Sequence, residues 1–397
     1  MTDEWKQKTI GELCEKVTSG GTPFRGNASY YINGIIPWIK TGELHDGKIY
    51  ETDIEERITE DALNNSSAKL FPKDTILMAM YGDGKTIGSL GIIQQPSTSN
   101  QACSALIANS EICLPKFLFY SLIVWRDGLI RLAYGGAQRN LTSKLIQQYE
   151  IPVPPLHIQK KIATILSAYD DLIKNNLKQI RLLEEMAQIT YQEWFVRLQF
   201  PNHENIPIDE ITGLPIGWRL VEFGKYIKFH KGKKLDDFFY KPFIGSEKII
   251  LLDSLESGVY KYTNPNGHIK TSRGDLVMLM DGARSSCVFY TEKGVVGSTL
   301  SKIESTEITI SFLYQLFLNN MDILQTNNTG SAIPHANKSF INSMKIVLPD
   351  KDILKQWSDK VSLINKQVWI LKDQNQCLKE ARDILLPRLM TGKITVE

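Results

Sequence analysis

The chain has 397 residues, of which 42% are hydrophobic and 23% are charged, and its formal net charge at pH 7 is +2. A chain of this length is long enough for two or three domains with buried cores. No run of about 18 apolar residues occurs, so we expect no transmembrane span, and the first residues lack the apolar stretch of a signal peptide. Because the net charge is small, any nucleic-acid surface must be built from locally gathered basic residues.

The cysteines and histidines predict neither a disulfide framework nor a metal site. The sequence has five cysteines and six histidines. No CxxC or HExxH spacing occurs among them, and the cysteines are scattered along the chain. This pattern is typical of reduced thiols, and we therefore expect a cytoplasmic protein without a metal.

Residues 1–153 are predicted to form an α+β globule. The stretches IIPWI, TILMAM, SLGIIQQ and CSALIA have the length and apolar content of strands, and we expect an antiparallel sheet. Residues 113–134 have the composition of a helix, and the loop GGAQRN follows them. A final strand, EIPVP, leads into the next segment.

Residues 154–200 are predicted to be dominated by one long helix with a single apolar seam. About forty residues run without Gly or Pro, and seam residues recur every three or four positions. At about 1.5 Å per residue this helix would reach roughly 60 Å. A helix of this length with one apolar seam needs a second helix to bury that seam. The seam positions chosen for the first helix are Ile162, Tyr169, Ile173, Asn176, Ile180 and Leu183.

The second half of the chain repeats the first. FPKDTILMAMYG at 71–82 matches TSRGDLVMLMDG at 271–282, and GGAQRNLTSK from 135 matches GSAIPHANKS from 330. We therefore predict a linker at 201–217, a second globule at 218–347 and a second long helix at 348–397. If a pseudo-two-fold axis relates the copies, the helices pair antiparallel as a coiled coil. The seam positions chosen for the second helix are Val361, Ile364, Val368, Asn375 and Leu378.

Asn176 and Asn375 both fall in the predicted seam. A seam asparagine can fix the register of paired helices at some cost in stability. The alternative is that each asparagine lies at the solvated edge of the apolar stripe.

The duplicated unit resembles the specificity (S) subunit of type I restriction–modification enzymes. The likeness is carried by the loops GGAQRNL and GSAIPHAN, each followed by a strand, a proline and a long helix, and by the ending LLPRLMTGKI. The resemblance implies that each globule is a target recognition domain reading half of a split double-stranded DNA site. It implies that the helices are spacers that set the half-site gap and dock two methyltransferase subunits, with restriction subunits in the full complex. It also implies a non-catalytic chain without a cofactor, since S-adenosylmethionine would bind the methyltransferase subunit, and without a membrane.

Loops matched between the two copies supply the candidate DNA-binding residues. Basic side chains suit phosphates, and Arg, Asn, Gln, His, Ser and Thr suit base edges. The alternative for each is an ordinary turn or a solvated surface. The candidates in the first copy are Ser19, Gly20, Thr22, Arg25, Lys40, Thr41, Tyr81, Lys85, Thr86, Gln138, Arg139 and Asn140. Those in the second copy are Lys231, Lys233, Lys234, Arg284, Ser285, His335 and Asn337.

Motifs for catalysis are incomplete. AMYGDGKT at 79–86 lacks the first glycine of a phosphate-binding loop, and NPNG at 264–267 lacks the second proline and the aromatic residue of an amino-methyltransferase motif. The acidic stretch at 53–56 has no companion that would suggest a nuclease. Two alternatives stay open: a specificity subunit of a related fused system, and an independent DNA-binding scaffold.

Overall fold

The computed structural model describes residues 5–82, 86–133, 140–235 and 237–396. The chain folds into two compact units. Unit 1 comprises Met1–Leu177 with Lys372–Glu397, and unit 2 comprises Lys178–Leu371. Each unit therefore contains a globule and a part of both long helices.

Unit 1 contains two sheets and a two-stranded ribbon. The ribbon pairs β1 with β10, and the sheets have the strand orders β2-β9-β6-β7-β4 and β5-β3-β8. Its strands are β1 (Lys6–Thr9), β2 (Cys14–Ser19), β3 (Ile36–Ile39), β4 (Gly47–Ile49), β5 (Arg57–Ile58), β6 (Ile76–Ala79), β7 (Leu90–Ile93), β8 (Thr98–Ser99), β9 (Cys103–Ala108) and β10 (Glu150–Val153).

The sheets of unit 1 are mixed. Most neighbouring strands run antiparallel, but β4 is parallel to β7 and β3 is parallel to β8. The expected antiparallel pairing therefore holds for most neighbouring strands, and the two parallel pairs were not expected. The two strands of each parallel pair are separated by about 40 to 60 residues of chain, which is long enough for the crossover that parallel pairing requires.

The helices of unit 1 are α1 (Ile10–Leu13), α2 (Glu60–Asn64), α3 (Pro115–Arg131), α4 (Ser143–Gln148) and the first part of α5 (Leu156–Tyr191). Thr9, Thr59 and Thr142 cap α1, α2 and α4 by accepting a hydrogen bond from a first-turn backbone N–H. Helices α1, α3, α4 and α5 of unit 1 contribute to the core on the larger sheet, whereas α2 packs on the smaller sheet. The core on the larger sheet joins apolar residues of the sheet, of α3 and of both long helices.

Unit 2 has a similar architecture, with two four-stranded sheets in place of the five-stranded and three-stranded sheets of unit 1. The ribbon pairs β11 with β20, and the sheets have the orders β12-β19-β16-β17 and β14-β13-β18-β15. Its strands are β11 (Arg219–Glu222), β12 (Ile227–Lys231), β13 (Glu247–Ile250), β14 (Tyr262–Thr263), β15 (Lys270–Thr271), β16 (Leu276–Leu279), β17 (Val288–Tyr290), β18 (Gly294–Val296), β19 (Leu300–Ser305) and β20 (Lys345–Leu348). The repeated α+β architecture predicted from the sequence is confirmed.

The helices of unit 2 are α6 (Leu252–Ser257), α7 (Ile310–Asn319), α8 (Met321–Thr326), α9 (Lys338–Ser343) and the first part of α10 (Lys351–Met390). A π-helical turn, Gln192–Val196, extends α5. Its Trp194 and Phe195 pack on Trp357 of α10, with ring centroids 6.0 and 5.2 Å apart, and anchor the helices to the core of this unit.

The two long helices pack antiparallel within unit 1. Asn176 of α5 contacts Asn375 of α10, and Asp170, which lies earlier on α5, contacts Arg382, which lies later on α10. The seam residues Ile162, Ile173, Ile180, Val361, Ile364 and Val368 are buried, while Tyr169, Leu183 and Leu378 are half-buried. Among the described residues no helix is long and apolar enough to cross a membrane.

Candidate nucleic-acid interface

In unit 1 the loop after β6 lies against the end of the loop that precedes α4. Tyr81 and Asn140 form an antiparallel backbone bridge, and Leu141 N–H donates to the Met80 carbonyl at 2.7 Å. The phenol of Tyr81 also donates to the Gln101 carbonyl at 3.2 Å, and the Gln101 N–H lies 3.5 Å from the hydroxyl of Thr22. Three candidates from distant parts of the sequence, Thr22, Tyr81 and Asn140, therefore come together at the edge of the larger sheet that lies beyond the end of its central strand β6.

Gly20 follows β2 and takes part in the backbone of this edge. Its N–H donates to the Cys103 carbonyl at 3.0 Å, and a Cβ on it would lie 2.3 Å from the carbonyl oxygens of Ser99 and Asn100. No side chain fits there, so Gly20 has a structural reason to be glycine. Ser19, immediately before it, accepts a hydrogen bond from Lys69 through its backbone carbonyl at 3.0 Å.

Arg25 and Lys40 are held by carboxylates of the same unit. The Arg25 guanidinium donates to Glu56 at 2.6 Å and lies 4.6 Å from the ring centroids of both Tyr31 and Trp38. Lys40 contacts Glu55 at 2.8 Å and Glu56 at 3.1 Å. The hydrogen bond from Arg25 lowers the pKa of Glu56, so this cluster is already neutralised internally. Thr41, beside it, opens a short 3₁₀ turn.

The equivalent edge of unit 2 carries charged side chains instead. Asp281 and His335 form the same backbone bridge, and Ala336 N–H donates to the Met280 carbonyl at 2.8 Å. Here the side chains also interact, because His335 Nδ1 lies 2.8 Å from Asp281 Oδ1. Lys231, the last residue of β12, lies 3.9 Å from the other oxygen of Asp281.

In the loop after β16, the side chain of Arg284 is exposed to solvent and that of Ser285 is buried. Arg284 forms an ion pair with Glu256 and is half-exposed, and this contact raises the pKa of its guanidinium. Ser285 is fully buried, and its hydroxyl accepts a hydrogen bond from Asn328 Nδ2 at 2.7 Å. A buried hydroxyl with an internal partner supports the loop and does not face solvent, so we remove Ser285 from the set of proposed DNA contacts.

The remaining candidates of unit 2 have varied surroundings. Asn337 caps α9 by accepting a hydrogen bond from Phe340 N–H at 3.0 Å, and its amide donates to the Asn327 carbonyl. Lys233 donates to the Gly267 carbonyl at 2.8 Å, while Lys234 is exposed.

Some candidate DNA-binding residues lie outside the described residues, and some side chains that contact the candidates were not predicted. Lys85, Gln138 and Arg139 lie outside the described residues, and Thr86 borders them. Sequence reasoning missed Gln101, Asn328 and Lys338. Gln101 and Asn328 look like ordinary loop residues, but Lys338 had a usable signal, because it directly follows the repeated loop. Among the described residues no group of His, Cys, Asp or Glu could hold a metal ion.

The helix pair of unit 1 has a polar layer and a charged layer. Asn176 Nδ2 donates to Asn375 Oδ1 at 3.0 Å, with both side chains buried. Nearby, Arg382 donates to Asp170 at 2.7 Å, and Tyr120 of α3 donates to the same carboxylate. This network fixes the globule of unit 1 to both long helices. It borders a cavity of about 340 Å³.

Comparison with known proteins decides the family. The family described as "Type I restriction modification DNA specificity domain" matches residues 2–185 and 220–380, so it covers most of both copies. The chain belongs to this family. The two matched segments correspond to the two halves of the repeat, and each begins close to the ribbon strand of its unit, β1 or β11.

Relatives of this specificity-domain protein have similar lengths. The type I restriction enzyme MjaIX specificity subunit of Methanocaldococcus jannaschii is 28% identical, with 99% of this chain and 94% of that protein covered. The EcoR124I/EcoR124II specificity subunit of Escherichia coli is 31% identical over 51% of this chain and 50% of its own. The crystal structure of a type I restriction–modification S subunit from M. genitalium has the same fold, with a TM-score of 0.62, 16% identity, and 98% and 97% of the two chains covered.

Proposed function

We propose that this chain is the DNA-sequence-specificity subunit of a type I restriction–modification system, and that each globule reads one half of a bipartite target. The observation that carries the proposal is the repeated loop edge. In each unit, the loop after the central strand bridges the loop before a short helix, at Tyr81–Asn140 and at Asp281–His335. The scaffold is the same in both units and the side chains on it differ, as two readers of different sequences require.

The exposed loop residues supply the reading in this proposal. Asn140 and Arg284 can form hydrogen bonds with base edges, while Lys231 and Lys234 can contact phosphates. Arg284 would exchange its contact with Glu256 for a guanine edge. Lys85, Gln138 and Arg139 belong to the same loops by sequence and are proposed to share this role.

The long helices act as spacers in this proposal. α5 has 36 residues and α10 has 40, which corresponds to about 54 and 60 Å. Both helices contribute to both units. A rigid element shared in this way would fix the distance between half-sites about one turn of DNA apart, roughly 34–36 Å.

A second apolar stripe on α5 is proposed to dock a methyltransferase subunit. Within unit 2, Leu182, Met186 and Ile189 are all exposed and recur with the spacing of one face of α5, and the exposed Val196 lies in the π-helical turn that follows. The seam residues Ile180 and Ala187 lie on another face and are buried. An exposed stripe of this kind on a soluble helix is typical of a binding surface.

Chemistry belongs to the partners in this proposal. The chain binds DNA and catalyses nothing, two methyltransferase subunits carry S-adenosylmethionine, and restriction subunits complete the enzyme in the cytoplasm. The incomplete motifs at 79–86 and 264–267 support this division of labour.

Mapping of methylated adenines in the genome tests the proposal. A host strain with the gene for this chain should show methylation at a motif of two short defined sequences separated by a fixed gap. Deleting the gene should remove that motif only, and restoring it should bring the motif back. An unchanged methylation map would contradict the proposal and favour an independent DNA-binding scaffold. In a related fused system, deleting the gene would remove the same motif. The copurifying partner would then be one polypeptide that carries both the nuclease and the methyltransferase.

A further inference from the structure

Four equivalent positions differ in charge between the two units. Ser19 ends β2 and pairs with Ser104 of β9, and Lys231 ends β12 and pairs with Ser301 of β19. Ser19 and Lys231 therefore occupy equivalent positions in the two units. The repeat also relates Tyr81 to Asp281, Asn140 to His335 and Ser143 to Lys338. Unit 1 therefore carries four side chains that are neutral at pH 7, and unit 2 carries two lysines, a histidine and an aspartate.

These four side chains of unit 2 lie together. Asp281 contacts His335 at 2.8 Å and Lys231 at 3.9 Å. Lys338, in the first turn of α9, lies over the ring of Phe229, with its Nζ 5.5 Å from the centroid. Phe229 belongs to β12, two residues before Lys231, so the two lysines approach from the helix and from the strand.

The positive charge in this cluster exceeds the negative charge. Burial and the nearby Lys231 ammonium lower the pKa of Lys338, and Asp281 opposes this shift only in part. Within the described residues, Lys338 has no carboxylate at salt-bridge distance, and the Asp281 carboxylate contacts Lys231 and His335. An anion placed between the two ammonium groups would relieve their repulsion. The Lys231, Asp281 and His335 side chains are 57%, 30% and 49% exposed, so an anion can reach them.

We propose that Lys231, Lys338 and His335 form a binding site for one DNA phosphate of the half-site read by unit 2, with Asp281 as the residue that orients Lys231 and His335. This inference rests on the proposed function. It assigns Lys338 and Asp281, which the sequence did not suggest, and makes His335 a phosphate contact. It also restricts this phosphate contact to one of the two half-sites, because the equivalent positions of unit 1 carry no charge.

The test uses the full chain in complex with its methyltransferase subunit and a duplex carrying the mapped target. Single phosphates of the duplex are replaced in turn by neutral methylphosphonate linkages, and affinity is measured for the wild type and for the double variant Lys231→Ala/Lys338→Ala. In the wild type, one linkage in one half-site should lower affinity on the order of tenfold. In the double variant the same replacement should have no further effect, because the two losses are coupled.

The salt dependence of binding gives a second readout. A plot of log affinity against log salt concentration has a negative slope, and the double variant should make this slope shallower by about one. The control variant Lys228→Ala removes an exposed lysine of the same strand and should retain both the slope and the linkage effect.

Two results would overturn the assignment while leaving the proposed function intact. These are an unchanged salt slope in the double variant and coupling to linkages of both half-sites. If instead the wild-type complex did not distinguish the target duplex from other DNA, the proposed function would fail and the phosphate site with it.

Discussion

Asn176 and Asn375 form a buried hydrogen bond across the two long helices, with 3.0 Å between Nδ2 and Oδ1. Asn375 also donates to the Ile173 carbonyl at 3.4 Å. The repeat gives this pair no counterpart in unit 2. Moving 195 residues along the chain takes Asn176 to Leu371, and moving 195 back takes Asn375 to Ile180, both of which are buried and apolar. The polar layer is thus asymmetric, and a shifted register would bury an amide against apolar side chains.

Removing one member of this pair should cost more than removing both. Asn176→Leu leaves the Asn375 amide buried without its partner, and should lower the free energy of unfolding by about 1–3 kcal/mol. The double variant Asn176→Leu/Asn375→Leu should recover most of that loss, because two apolar side chains can pack together. Urea unfolding of the four proteins of the cycle measures this coupling. Additive losses in the double variant would show that the asparagines act independently.

Gly20 should tolerate no side chain, because a Cβ there would lie 2.3 Å from two backbone oxygens. Gly20→Ala is therefore expected to destabilise unit 1 by several kcal/mol or to prevent its folding. Gly42→Ala is the matched control, since a Cβ at Gly42 meets nothing within 4 Å. Thermal unfolding of both variants should show a large loss for the first and almost none for the second. Equal melting temperatures would mean that the backbone around Gly20 relaxes freely.

Glu56 should make the stability of unit 1 sensitive to acid. Its pKa is lowered in the folded state, chiefly by the hydrogen bond from Arg25 and secondly by Lys40. A group with a depressed folded pKa stabilises the protein above its unfolded value of about 4.3, and this contribution is lost as pH falls through the folded pKa. Urea midpoints between pH 7 and pH 3 should fall less steeply for Glu56→Gln than for the wild type.

The exposed carboxylate Glu15 on β2 provides the control for this experiment. Glu15→Gln should follow the wild-type acid profile. If Glu56→Gln also retained the wild-type slope, the ion pair with Arg25 would contribute nothing to acid sensitivity.

The exposed stripe on α5 should be needed for the partner and not for the fold. Met186→Glu places a charge in the middle of Leu182, Ile189 and Val196, and should abolish copurification with the methyltransferase subunit. The melting temperature should change little, because Met186 is already exposed. Gln188→Glu, on an exposed position outside the stripe, should retain the partner. Retained copurification by Met186→Glu would exclude this face as the docking site.

The sequence predicted the repeat and the long helices because both leave periodic signals. Apolar residues recur every three or four positions along α5 and α10, and matched segments return in the same order about 200 residues later. Strands such as β9 were also visible, since Cys103–Ala108 is a short apolar run. The parallel pairs β3–β8 and β4–β7 were not predicted, because their strands are far apart in sequence and carry no mark of their partners.

The candidate site was harder to predict because its side chains are defined by tertiary contacts. Arg25 looked like a free cation, but Glu56, 31 residues away, binds it. Ser285 looked like a loop hydroxyl, but Asn328 holds it in the interior. Lys338 was overlooked although it directly follows the repeated loop, and its position beside Phe229 and Lys231 is defined by the fold of unit 2. Which of the exposed candidates contact DNA stays a prediction.

The central claim is that two globules read two half-sites at a distance set by the helices. It is tested most directly by removing one helical turn, four residues, from both α5 and α10 and mapping methylated adenines in a strain that carries this variant. The deletion shortens each helix by about 6 Å, which is the length of roughly two base pairs. The account predicts that both half-site sequences are retained and that the gap between them becomes shorter. An unchanged gap with both half-sites still methylated would contradict it.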